Sequence, residues 1–67
     1  MIDEYILENF TKRFNRAYLE SDRSKMEDIY ERVEKIEDEH DMDTLGVEAH
    51  FVKLGMKVFI ERVKREE

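Results

Sequence analysis

Residues 45–63, LGVEAHFVKLGMKVFIERV, carry apolar side chains along two lines of one helix, and nothing else in the chain constrains the fold as strongly. Leu45, Ala49, Val52, Met56, Phe59 and Val63 follow steps of four, three, four, three and four. That spacing stacks side chains on one face of an α-helix, which turns once every 3.6 residues or about that. Val47, Phe51, Leu54 and Val58 form a second line, roughly 150° around the helix at about 100° per residue. In a compact three-helix monomer each helix meets its neighbours through one broad stripe. Two lines this far apart call for partners on opposite sides. The first is expected to pack on the chain's own helices. The second, Val47, Phe51, Leu54 and Val58, is expected to pack on another chain, and a symmetric homodimer is the commonest such solution. Gly55 lies between the two lines and costs the helix about 1 kcal/mol relative to Ala. Close backbone approach by another helix accounts for it, as does a tolerated surface position.

The rest of the chain is also helical in its periodicity. It has no proline, both glycines fall in the last third, and there is no internal repeat or strand-like alternation. In a first segment, about residues 3–20, Ile6, Phe10, Phe14 and Ala17 follow steps of four, four and three, widened by Leu7 and Tyr18. Ser21-Asp22-Arg23-Ser24 interrupts that pattern. Ser24 followed three residues later by Glu27 reads as a capping box, with each side chain satisfying the other's backbone amide. A second helix is therefore expected over about 25–39. There Met26, Ile29, Val33, Ile36 and His40 make a heptad seam, supported by the Asp28–Arg32 and Glu31–Lys35 pairs. The third helix is expected over about 44–64, capped by Asp43 or Thr44 with Met42 as a hydrophobic staple. The fold class is all-α: one domain, 1–67, built as a helical hairpin plus a long third helix and assembled as a homodimer bundle.

Length and composition bound the function. A chain of 67 residues buries only about 60% of its unfolded surface, so something usually supplements the core. It has no cysteine, which excludes disulfides, Cys-zinc sites and thiol nucleophiles and leaves oligomerisation as the natural supplement. The start, MIDEYILENF, is acidic and lacks the basic segment and apolar run of a signal peptide. No stretch approaches the roughly 20 apolar residues that span a bilayer, and a cytoplasmic location is expected. The charged fraction is 45%, but 40% hydrophobic residues argue against disorder. The net charge of −6 divides into −1 for residues 1–20, −6 for 21–43 and +1 for 44–67. The middle third thus disfavours nonspecific binding to nucleic acid or anionic membranes.

Several chemistries can be weighed residue by residue. Glu37 and His40 have the Glu-x-x-His spacing used by di-iron bundles, but those need a second pair, and His50 has Val47 where that glutamate would stand. His40 also falls on the apolar seam, so no metal site is expected. Asp41 to Gly46, DMDTLG, starts like an EF-hand loop, but Leu45 takes its fifth position and Val52 its twelfth. No Gly-rich phosphate loop and no convergent Ser-His-acid set is present, so neither an enzyme nor a cofactor is expected. Lys53, Lys57 and Lys64 share one side of the third helix, with Arg62 and Arg65 near its end. They are the basis of a rival reading, a dimeric helical-hairpin regulator that binds nucleic acid. Glu27, Glu31, Glu34 and Asp38 make an acidic stripe opposite the second helix's seam. It reads as a solubilising face or as a surface for a basic partner. The polar faces are too acidic for a helix lying on a membrane. The function these features favour is a small non-catalytic protein–protein interaction module, an adaptor, regulator or inhibitor acting as a helical homodimer on another protein.

Overall fold

The computed structural model describes residues 5–67, and every regular element in them is helical: α1 (Ile6–Leu19), α2 (Arg23–Glu39) and α3 (Thr44–Glu66). Asp3 and Glu4, which the sequence places at the start of the first helix, lie outside the described residues. At about 1.5 Å per residue, the 23 residues of α3 nearly span the molecule's longest dimension of 38 Å. The other two dimensions, 16 and 14 Å, leave room for a single layer of side chains between helices.

The first joint turns at Ser21, within the segment that interrupts the helical pattern. Ser21 adopts a left-handed conformation, φ 54°. The turn lets the Ser21 N–H reach the Tyr18 carbonyl at 3.0 Å and the Asp22 N–H reach the Ala17 carbonyl at 2.9 Å. These are the two bonds of a Schellman motif, which satisfies carbonyls that the end of α1 would otherwise leave open. α2 then begins two residues earlier than the Ser24–Glu27 capping box implies. The cap is Asp22, whose carboxylate accepts the Lys25 N–H at 3.1 Å. Ser24 falls inside the first turn, because the Schellman turn delivers the chain to Asp22 already oriented as a cap.

The second joint also differs from expectation. Asp43 is the residue before α3, but its side chain does not cap the helix. His40 Nδ1–H donates to Asp43 Oδ2 instead, at 3.0 Å, since an ionised carboxylate can only accept. The His40 carbonyl in turn accepts the Asp43 N–H at 3.0 Å. Met42, expected as a staple, is 93% exposed instead. Gly46 closes the joint. A Cβ there would run into the His40 carbonyl, so only glycine lets the first turn of α3 sit against the end of α2.

The core lies where the three helices meet. Leu7, Phe14 and Ala17 of α1, Met26, Ile29 and Val33 of α2, and Ala49, Met56, Ile60 and Val63 of α3 are buried together. Each fully buried side chain of this kind contributes roughly 1.5–3 kcal/mol. α2 runs antiparallel to α3, and the Arg23–Glu67 ion pair at 2.6 Å joins the start of α2 to the end of the chain. The inner line of α3 passes through Ile60 rather than Phe59. α3 touches both other helices, so its buried band is wide. Ile60 turns into the core, and the Phe59 ring meets Tyr18 of α1 edge-on, with centroids 4.9 Å apart.

Candidate interaction surface on α3

The outer line of α3 is uncovered. Val47, Phe51, Leu54 and Val58 are between 46 and 66% exposed, with Phe51 the most exposed of the four. They lie on the side of α3 away from the core because four- and three-residue steps keep one phase along a helix. A single exposed leucine is ordinary; four large apolar side chains aligned on one helix form a patch of the kind that marks interaction sites. Toward α1 the patch runs into a cleft of about 170 Å³ lined by Thr11, Phe14, Phe51, Val52, Met56 and Phe59 beside Gly55. A Cβ on Gly55 would meet nothing within 4 Å, so any close approach that explains this glycine comes from outside the chain.

Toward α2 the edge of α3 is polar and occupied. Lys53 Nζ lies 3.0 Å from Glu37 Oε2 and 4.0 Å from Glu34, and His50 Nδ1 lies 3.4 Å from the same Glu37 oxygen. Lys53 and Glu37 are both largely covered, their side chains 17% and 21% exposed. Lys53 stands within hydrogen-bonding distance of Glu37 but off the preferred angle, which makes the contact a close ion pair rather than an aligned hydrogen bond. The Lys53 contact holds the Glu37 carboxyl below its ordinary value, overcoming the opposing effect of partial burial, with the Lys53 and His50 charges acting in the same direction. The Lys53 ammonium is raised for the same reason, by Glu37 first. This contact fixes α2 against α3 and takes Lys53 out of the basic row of α3. Lys57, Arg62, Lys64 and Arg65 remain exposed.

The acidic stripe is divided by the fold. Glu34 faces Lys53, and Glu27 lies 3.8 Å from Arg23, while Glu31 and Asp38 stay exposed and make no ion pair among the described residues. Glu37 and His40 are drawn apart by their partners, one to Lys53 and the other to Asp43. Among the described residues no three ligating side chains converge on a point where a metal could sit. Also among them, no helix is long and apolar enough to cross a membrane.

No protein-family model, curated protein or solved structure matches the chain. The surface is therefore read from its own chemistry. Three of its supports went unseen in the sequence: Ile60, Gly46 and the Glu37–Lys53 pair. Ile60 could have been found by allowing α3 two neighbours and hence a wider buried band. The other two depend on how α2 and α3 pair, which spacing within one helix does not encode.

Proposed function

We propose that this protein is a small non-catalytic interaction module, an adaptor, regulator or inhibitor, that works as a homodimer joined through the outer face of α3. The observation that carries the reading is the exposure of Val47, Phe51, Leu54 and Val58 in a chain whose own core is already closed. Charge supports the same face. Residues 21–43 hold −6, whereas residues 44–67 hold only +1, so two copies meeting through α3 keep their acidic helices apart. Phe51 is the anchor, since a buried aromatic supplies the largest apolar area on that side. In the dimer Glu31 and Asp38 remain free on α2 for a basic partner protein.

Sedimentation equilibrium at tens of micromolar tests this reading. The unmodified chain is expected to run as a dimer, and the Phe51→Glu, Leu54→Glu double variant as a folded monomer by circular dichroism. A unmodified chain that stays monomeric at that concentration overturns the homodimer.

A further inference from the structure

The cleft between α1 and α3 opens beside the outer line of α3. Its volume of about 170 Å³ is below the roughly 300–1,000 Å³ of a small-molecule pocket, so it suits a single side chain. We infer that this side chain is Phe51 of a second copy, each ring seating beside Gly55 of the other copy, with the two α3 helices antiparallel. The inference rests on the homodimer proposed above and says what each copy puts into the other.

The outer line is complementary to its own reverse. Val47, Phe51, Leu54 and Val58 are spaced four, three and four, which reads the same from either end, with valine at both ends. A two-fold dimer needs a surface of this kind, because the same patch must serve both copies. A two-fold axis midway between Phe51 and Leu54, normal to the plane of two antiparallel α3 helices, sets Val47 against Val58 of the second copy. It sets Phe51 against Leu54 of the second copy. Every member of the line then meets another exposed apolar member and none meets a core position. The same axis keeps the α1 flanks of the two helices on one side. Phe51 and Gly55 both lie on that flank, since both line the cleft. Gly55 of the second copy then stands one residue, about 1.5 Å, from the level of Phe51. Phe51, Gly55 and Phe59 follow steps of four along the cleft, so the glycine is a gap between two rings. A Cβ on Gly55 would meet nothing within 4 Å in its own chain. Into that gap comes the Phe51 ring of the other copy, covering apolar surface that the outer line alone does not reach.

Charge along α3 fits the same arrangement. The axis brings the acidic joint of one copy, with Asp41 and Asp43, beside Arg62 and Lys64 of the other, and all four side chains are exposed. Glu61, next along the outer line, comes to the start of the second copy's α3, a positive helix end with no side-chain cap. A parallel pair also matches the outer line to itself but does not fill the cleft. It sets the α1 flank of one helix against the α2 flank of the other, five residues away. Gly55 then faces His50 of the second copy, which is held toward α2 in its own chain, 3.4 Å from Glu37. Only the antiparallel pair brings an aromatic ring to the glycine.

Gly55→Leu and cysteine cross-linking test the seating, beside sedimentation of the unmodified protein. Leucine at 55 has open space in the monomer and is the better helix former. The variant should therefore melt no lower than the unmodified chain at a dilution where both are monomeric. It blocks the incoming ring, so self-association should weaken at least roughly tenfold. The chain has no native cysteine, so Val47→Cys and Val58→Cys report the register directly. Oxidised as a mixture they should form a disulfide, and oxidised separately they should not. Position 47 of one copy would lie roughly 17 Å along the helix from position 47 of the other, well beyond the roughly 7 Å between Cα atoms that a disulfide tolerates. A Gly55→Leu chain that self-associates as strongly as the unmodified one overturns the seating of Phe51. A disulfide from either cysteine variant alone, or none from the mixture, overturns the antiparallel register, and both results leave the α3 dimer standing. An unmodified chain that is monomeric at tens of micromolar overturns the dimer itself and this inference with it.

Discussion

Gly46→Ala adds one methyl group in a place where the fold has no room for it. The new Cβ would overlap the His40 carbonyl oxygen and stand 2.6 Å from its carbon, both backbone atoms that cannot turn aside. α3 must shift off the end of α2 or the turn at 40–43 must open. Overpacking of this kind costs about 1–3 kcal/mol. Opening the turn also gives up the Asp43 N–H to His40 carbonyl bond, worth about 1 kcal/mol. Against these, alanine gains at most about 1 kcal/mol of helix propensity. The net expectation is a loss of about 2 kcal/mol, from a total that for a chain this size is roughly 3–10 kcal/mol. In a domain of this length that lowers Tm by about 8–16 °C. Gly55→Ala is the matched control, since the same methyl group meets open space there. It should raise stability by about 1 kcal/mol. Thermal melts of both variants by circular dichroism, at one low concentration, check the pair. A Gly46→Ala chain that melts at or above the unmodified protein would refute the packing of α3 against His40.

Ser21→Gly should stabilise by about 1 kcal/mol in urea titrations, because glycine holds the left-handed conformation without a Cβ penalty. Asp22→Ala should cost about 1 kcal/mol by removing the cap on Lys25, and Ser24→Ala much less, reversing the order that a Ser24 capping box implies. The Glu37 carboxyl is lowered in the fold from an ordinary 4.5, so its contribution is present above that value and is lost as pH falls through the lower folded one. Glu37→Gln should therefore flatten this part of the acid limb of a stability–pH profile. Lys53 is raised from 10.5, so its contribution holds below that pH and fades as pH rises through the higher folded value, an alkaline loss that Lys53→Met should abolish.

The sequence carried the helices and the division of α3 into an inner and an outer line, because both follow from spacing along one element. Met26, Ile29 and Val33 are buried on the seam that their three- and four-residue steps define. What spacing left open belongs to joints and to pairs of helices. The choice between Asp22 and Ser24 as a cap depends on how α1 ends, and that depends on Ser21 taking a conformation its residue type does not announce. Gly55 stood out in the sequence and Gly46 did not. Within this chain it is Gly46 that a neighbour crowds, because His40 comes close only once the turn at 40–43 has closed. The Lys53–Glu37 pair is likewise a consequence of the α2–α3 register, and it changes how many bases of α3 face outward.

The proposed dimer requires the outer face of α3 to be where the chain meets its own copy. Backbone amide and side-chain methyl NMR spectra over a dilution series, from hundreds of micromolar to a few, test that face residue by residue. Concentration-dependent shifts are expected at Val47, Phe51, Leu54, Gly55 and Val58 and at the flanking Glu48 and Arg62, with Met26, Val33 and the acidic face of α2 unmoved. Spectra that do not change with concentration, or changes confined to Glu27, Glu31, Glu34 and Asp38, would contradict it.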